Sequence, residues 1–255
     1  IRYQKNFFLL YLSFTLLLLC YFMKNLCVIG STGFIGSHVY NELSTLNNYN
    51  VYRFSSKKSK FLDRCSISYF DTLVFCAGIH DDTQNLTKII KSSLTILKNS
   101  KDVFLKSKKI IFISSFITSF NKNENQVLSI NKSNYYSMTS NYGKSKILIE
   151  KLFIKFCKKF NKSFLIISPS HVIGPNDFGP SPNGLFIKKT LKNKIVFCPK
   201  CNISIVDVRN ISYFVKLSLE KYQKKFNNEK VILNDITMTY ENYVKQISFK
   251  QEKVG

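Results

Sequence analysis

The chain has 255 residues, 45% of them apolar, which is enough for one sizeable domain with a smaller lobe and too much for a disordered chain. Its formal charge of +23 would suit nucleic acid or an anionic surface, but only four of its 38 basic residues are arginines. A surface that grips phosphates and base edges favours the arginine fork, and lysines scattered among Asn, Ile, Phe and Ser indicate compositional drift, so no nucleic-acid partner is expected.

In chain order, Phe7–Phe22 is an uncharged, mostly apolar run flanked by Arg2, Lys5 and Lys24. It falls short of the usual membrane span of about twenty residues, and no small-residue cleavage site follows it. The expectation is that Met23 is the start and residues 1–22 an upstream extension, which implies a cytoplasmic protein. The alternative is a membrane anchor in residues 1–22 and a membrane partner with it. Leu26–Ile29 is an apolar strand that ends on Gly30-Ser-Thr-Gly-Phe-Ile-Gly36, and Phe34–Leu46 has helical spacing through Ile35, Val39, Leu43 and Leu46. Val51–Phe54, Asp71–Gly78, Lys109–Ile113 and Phe164–Ile167 are the next strands, the last stopped by Pro169. Leu86–Leu105 and Tyr142–Phe160 are helical between them. Nearly all-apolar strands that alternate with helices predict a doubly wound parallel sheet of Rossmann type. After Pro169 a glycine- and proline-rich loop, Gly174–Gly184, opens a series of short segments: Leu185–Leu191, Ile195–Phe197, Ile203–Val208, Ile211–Tyr222, Val231–Leu233 and Tyr240–Ile247. These predict a small C-terminal lobe, and the early stop after Tyr240–Ile247 suggests a missing C-terminal end. The expected division is therefore a leader at 1–22, a dinucleotide-binding domain at 23–168 and a substrate-binding lobe at 169–255.

Seven cysteines, an odd number and several in apolar runs, fit buried thiols in a reducing compartment. Cys198-Pro-Lys-Cys201 is a single CxxC pair, read as chance spacing because a zinc ribbon needs a second pair. His38, His80 and His171 are too dispersed for a metal or a nucleophilic triad, so no metal is expected.

The chemistry concentrates in two stretches. Gly30 allows a tight turn after the first strand, Gly33 lets backbone approach a phosphate, and Gly36 lets the helix pack closely. Gly30, Thr32, Gly33, Phe34, Ile35 and Gly36 are thus candidate contacts to a dinucleotide pyrophosphate. The second strand ends Arg53-Phe-Ser-Ser-Lys-Lys58 and lacks the acid that usually accepts ribose hydroxyls. Ser55 and Lys57 would instead welcome a 2′-phosphate, so NADP is favoured over NAD. Tyr142 and Lys146 stand four residues apart on one helix face. A free phenol, titrating at about pH 10, is a poor base at neutral pH, and an ammonium held beside it favours the phenolate. Ser115, just past a strand end, is the candidate to orient a substrate oxygen, with Ser114 as its close alternative.

With these motifs in place, residues 23 to about 250 resemble the extended short-chain dehydrogenases/reductases of the NAD-dependent epimerase/dehydratase family. GSTGFIG matches the family's glycine turn, Cys76-Ala77-Gly78 its small-residue strand end, and Ser115 with Tyr142-x-x-x-Lys146 its triad. Pro169-Ser-His171-Val-Ile-Gly-Pro175 is similar to the family segment beside the nicotinamide, and Val206-Asp-Val-Arg-Asn210 to a strip of its substrate lobe. The resemblance implies a tightly held NADP or NAD, catalysis by Tyr142, Lys146 and Ser115, a ribose contact from Lys146, and a nucleotide-sugar substrate. It also implies homodimer pairing through the helices flanking Tyr142. The short stretch before Asp71 departs from the family and implies a reduced third strand and helix, with Asp63 left as a candidate adenine contact. The competing reading is a non-catalytic NADP-binding sensor or scaffold of the same fold.

Overall fold

The computed structural model describes residues 23–63, 66–78, 85–121, 126–127, 140–193, 196–220 and 228–252. The expectations for residues 1–22, His80 and Ile195 lie outside them. The chain opens with strand β1 (Lys24–Ile29), helix α1 (Phe34–Leu43) and strand β2 (Tyr49–Ser55), and turns back in the two-residue strand β3 (Lys60–Phe61). Strand β4 (Phe70–Phe75), helices α2 (Leu86–Asn99) and α3 (Lys101–Leu105) and strand β5 (Ser107–Ile113) follow. A 3-10 turn (Phe116–Ser119) and the short pair β6 (Phe120–Asn121) and β7 (Gln126–Val127) come before helix α4 (Asn141–Lys159) and strand β8 (Ser163–Pro169). The remainder is β9 (His171–Ile173), α5 (Pro182–Lys192), β10 (Asn202–Asp207), α6 (Val208–Glu220), β11 (Glu229–Leu233), β12 (Ile236–Thr239) and α7 (Tyr240–Glu252).

The main sheet has seven strands in the order β11-β8-β5-β4-β1-β2-β3, parallel throughout except where β3 runs against β2. Both faces are covered, so strand residues alternate between two cores rather than between core and water. Cys27, Ile29, Leu73, Phe75, Ile110, Phe112, Phe164 and Ile166 face one core, which is closed by Phe104 of α3 and by Ile149, Phe153 and Cys157 of α4. Phe112 stacks on Phe75 at 5.6 Å and on Phe153 at 4.4 Å between ring centroids. Leu26, Val28, Val74, Ile111, Ile113, Leu165 and Ile167 face the other core, under Val39 and Leu43 of α1 and Val215 and Leu219 of α6. Fully burying each such side chain is worth about 1.5–3 kcal/mol, which is why these runs read as strands in the sequence.

The strand order reverses between β1 and β4. The chain leaves β1 through α1 to β2 on one side, while β4 lies on the other, and that switch point opens a crevice at the C-terminal ends of the strands. The reduced third unit is found as expected from the short spacing before Asp71. Antiparallel β3 returns the chain to the starting edge of the sheet, where parallel β4 must begin, so no crossover helix is needed.

Two parts of the sequence reading are corrected. The single helical stretch Leu86–Leu105 breaks at Ser100, whose hydroxyl donates back to the Ile96 carbonyl at 2.8 Å. Of the segments Ile211–Tyr222 and Val231–Leu233, assigned to the small lobe, the described residues 211–220 and 231–233 belong to the main layers: α6 packs against α1, and β11 pairs with β8 from Glu229 to Leu233. Their apolar positions, Val215, Leu219, Val231 and Leu233, fit the second core and not the lobe. The lobe itself is the three-stranded sheet β12-β10-β9 with α5 and α7, centred on Ile203, Ile205 and Tyr243 and packed by Phe186 and Ile187. Among the described residues no helix is long and apolar enough to cross a membrane.

Arg53 and Asp63 pin the β2–β3 hairpin. The Asp63 carboxylate accepts from the Arg53 backbone N at 2.7 Å and from Nε at 3.0 Å, and its Oδ1 pairs with Nη2 at 2.5 Å. That bonding holds the Asp63 carboxyl below the usual carboxylate range against the opposing cost of burial. A carboxyl whose folded value is depressed contributes stability above its unfolded value, near pH 4, and loses it as pH falls through the folded value. Asp63→Asn is therefore expected to lower stability at about pH 7 by about 1 kcal/mol. It should also flatten the loss of stability below about pH 4, as read from urea unfolding across the acid range.

Candidate active site

The glycine turn sits at the switch point. Gly30 adopts φ +86°, a left-handed conformation open to glycine, and a Cβ there would come within 2.7 Å of the Ala77 backbone N at the end of β4. At Gly36 a Cβ would lie 2.0 Å from the Gly30 carbonyl oxygen, so the helix closes directly on the turn. Gly33 differs. It caps α1 with φ −89°, which any residue adopts, and the nearest atom to a Cβ there is the Gly30 carbonyl oxygen at 3.4 Å. The protein's own packing does not require a glycine at 33, yet the residue is exposed and keeps the mouth of the turn clear.

No side chain caps α1 and no acid lies in its first turn, so its N-terminus offers amide hydrogens and the positive end of the helix dipole to an anion. Ser31 adds a buried hydroxyl without a hydrogen-bond partner. This donor set, clear of side chains, fits the pyrophosphate of a dinucleotide. Thr32 is exposed beside Gly33, while Phe34 and Ile35 form the half-buried first turn.

At the end of β2, Ser55 Oγ accepts from the Lys58 backbone N at 3.3 Å, and Lys57 and Lys58 are exposed. Asp63 does not serve as a free adenine contact: both its oxygens are bound by Arg53, which also lies 5.0 Å from the Tyr40 ring centroid.

Across the crevice, the Cys76 backbone N donates to the Ile29 carbonyl at 2.8 Å, which joins the ends of β1 and β4. Desolvation pushes the Cys76 thiol up to about 12, so it is held as an unreactive thiol. Gly78, two residues on, would bring a Cβ within 2.9 Å of Lys146 Nζ. That ammonium stands 5.5 Å from the centroid of the Tyr142 ring. Tyr142 lies in the first turn of α4, where Ser140 caps the helix by accepting from the Gly143 N at 2.9 Å. Close approaches thus run from the glycine turn through Ala77 and Gly78 to Lys146 and Tyr142, and although α1 and α4 pack on opposite faces of the sheet, both motifs meet at the C-terminal ends of its strands.

The neighbouring serines separate cleanly. Ser114 is buried and its hydroxyl donates to Glu150 Oε2 at 2.5 Å. Ser115 is half-buried, with only a 3.5 Å approach from the Ile117 N to its Oγ. Pro169 closes β8, and His171 begins β9 with Nδ1 3.0 Å from the Ser204 carbonyl. The His171 ring lies 6.3 Å from that of Phe116, next in sequence to Ser115. His38 of α1 contacts the Pro175 carbonyl at 3.0 Å, so the Pro169–Pro175 segment reaches from the Ser115 turn to α1. A separate cavity of about 150 Å³, lined by Lys24, Asp71, Lys108 and Lys109, lies at the opposite end of the strands.

Sequence reasoning missed Glu150, Thr118 and Lys230, a buried polar group beneath α4. Its signal was a lone acid in the apolar run Ile147–Phe153 and a lone base within Val231's strand, each a charge at a position reserved for apolar side chains.

Residues 26–207 match the NAD dependent epimerase/dehydratase family, and the chain belongs to that family. In fold it is similar to an epimerase from Methanothermobacter thermautotrophicus, at 13% identity and a TM-score of 0.71, over 92% of this chain and 79% of that one. It is also similar to UDP-glucose 4-epimerase from Thermotoga maritima, solved with UDP-glucose, at 20% identity and a TM-score of 0.65, over 88% of this chain and 82% of that one. A third is UDP-glucose 4-epimerase from Thermus thermophilus, solved with NAD, at 14% identity and a TM-score of 0.62, over 88% and 81%. No curated protein matches the chain.

The two glycines are expected to separate folding from binding. Gly36→Ala should cost about 1–3 kcal/mol, because backbone must move to admit the methyl. Gly33→Ser should leave stability within about 0.5 kcal/mol, since serine is itself a good cap, while filling the phosphate seat and weakening NADH and NADPH binding at least about tenfold. Thermal unfolding and fluorescence titration with each nucleotide read the two effects.

Proposed function

We propose that the chain is an NAD(P)-dependent epimerase of a nucleotide-linked sugar. The observation that carries this reading is the position of Lys146 Nζ, over the Tyr142 ring and against Gly78, in contact through Ala77 with the glycine turn. A bound NAD(P) supplies the hydride acceptor and donor. The residues of the chain do the rest. The helix N-terminus at Gly33–Gly36 and the Ser31 hydroxyl hold the pyrophosphate, and Lys146 reaches the nicotinamide ribose. Tyr142 takes the proton from a sugar hydroxyl as the carbinol is oxidised and returns it when the same carbon is reduced from its other face. Lys146 keeps a positive charge beside the ring while the phenol is deprotonated. Ser115 Oγ hydrogen-bonds the sugar oxygen and orients it toward Tyr142. The lobe of β9, β10, β12, α5 and α7 holds the sugar nucleotide, and His171 and Pro169 line its border with the cofactor.

NADP is the preferred form in this reading. Ser55, Lys57 and Lys58 follow β2 with hydroxyl and ammonium groups suited to a 2′-phosphate, and Arg53 neutralises the nearby Asp63 carboxylate. Leu94 of α2, Leu152 of α4 and Phe160 just beyond it are exposed, which gives these helices apolar outer positions suited to pairing with a second copy.

The test is turnover of UDP-glucose, UDP-galactose and UDP-N-acetylglucosamine, followed by proton NMR of the sugar. Tyr142→Phe should reduce the rate by about 10²–10⁴-fold and leave the NADPH dissociation constant within about threefold. Undiminished turnover in that variant would remove the assignment. Lys57→Glu should move the NADPH-to-NADH affinity ratio toward NADH by about tenfold, through repulsion of the 2′-phosphate.

A further inference from the structure

Glu150 and Lys230 form a deeply enclosed ion pair: Oε1 and Nζ are 2.6 Å apart, and the side chains are only 4% and 6% exposed. Two charges in such a place are costly unless their remaining bonding capacity is well used. Here it is used on the Ser115 turn. Glu150 Oε2 accepts from Ser114 Oγ at 2.5 Å and from Thr118 Oγ1 at 2.8 Å, and Lys230 Nζ donates to Thr118 Oγ1 at 2.7 Å. Thr118 in turn approaches the Ser115 carbonyl with its N at 3.1 Å and its hydroxyl at 2.8 Å. One hydroxyl hydrogen serves one acceptor at a time, so Thr118 is shared between the Ser115 carbonyl and the carboxylate. Ser115 is therefore flanked by two side chains that bond the same oxygen of Glu150, on the helix that carries Tyr142 and Lys146.

Charge placement gives Lys230 a second effect. Lys146 and Glu150 are four residues apart on α4, hence on one face, and side chains lean toward the helix N-terminus, which inclines Glu150 toward Lys146. An unneutralised carboxylate there would draw the Lys146 ammonium away. Instead Glu150 pairs with Lys230, and Lys146 stays over Tyr142.

We propose that Glu150 and Lys230 are positioning residues for Ser115, Tyr142 and Lys146: the pair ties the Ser115 turn to α4, and Lys230 neutralises Glu150 so that Lys146 remains with Tyr142. This rests on the reading of those three residues as the catalytic set. The experiment is side-chain NMR of protein carrying isotope-labelled lysine, the Lys146 ammonium signal being the one lost in Lys146→Arg. In Lys230→Met that signal shifts and its protons exchange more slowly as the ammonium engages Glu150. In the neutral double variant Glu150→Gln/Lys230→Met it returns to the wild-type position. Lys230→Gln, which can still bond Thr118, gives the same comparison should the Met variant not fold. With UDP-galactose as substrate, kcat falls about tenfold in Lys230→Met while KM and the NADPH dissociation constant change less than about twofold. A Lys146 signal that is unmoved in the single variants, or that moves alike in single and double, overturns the proposal, because loss of packing alone does not depend on the Glu150 charge. The lysine spectra are independent of turnover, so an active Tyr142→Phe would overturn the catalytic reading separately.

Discussion

The crevice depends on a close approach of backbone to backbone. Gly30 lies against the Cys76–Ala77 peptide, and Gly36 against the Gly30 carbonyl, at distances that leave no room for even a methyl group. These two contacts bring the end of β1, the start of α1 and the end of β4 to one point. From there the geometry propagates outward: Gly78 follows Ala77 by one residue and meets Lys146, and Lys146 meets Tyr142. A side chain at position 30 would therefore part β1 from β4 and carry α4 away from the glycine turn. The positive φ at Gly30 is a consequence of the same crowding, since only that turn directs the chain off the strand and back into a helix above it.

The central strands were legible because parallel strands buried on both faces become continuous apolar runs, and β1, β4, β5 and β8 all do so. β3, β9 and β12 were not legible. They have two, three and four residues, carry partly exposed side chains, and are made by pairing rather than by any local preference. The displacement of α6 and β11 has a different origin. Periodicity in Val208–Glu220 identifies a helix with an apolar face, but it cannot say which of two cores that face will meet. The chain leaves the main sheet at Pro169, forms β9, α5 and β10, and returns with α6 and β11 before leaving again. Order along the sequence was a poor guide to layer in this half of the molecule.

The candidate site was legible where its residues are neighbours in sequence and hidden where it is assembled across the fold. The glycine turn and the Tyr142–Lys146 pair sit within short segments, and the structure brings them to one crevice. Ser114 and Ser115 could not be told apart from sequence. They are distinguished by Glu150, which reaches Ser114 from 36 residues away. Asp63 was misread for the same reason, because its carboxylate faces inward across the hairpin to Arg53 and not outward to a ligand.

Helix α4 shows how one element can carry candidate site residues and part of the core together. Tyr142, Lys146 and Glu150 follow one another at four-residue steps, each rotated about 40° from the last, so they form a slowly winding polar stripe. Its first member lies under the Lys146 ammonium, its second meets Gly78, and its third turns under the sheet edge toward Lys230. Ile149, Phe153 and Cys157 continue the buried side of the helix into the aromatic stack on Phe112. A helix anchored only by apolar contacts could slide or rotate with modest loss, since such packing is not directional. The charged hydrogen bonds at Glu150 require one rotation and one height, and the end of the helix that carries Tyr142 lies only about two turns away. The fixed rotation of α4 thus comes from its polar middle, and the stability that holds it there comes from its apolar end.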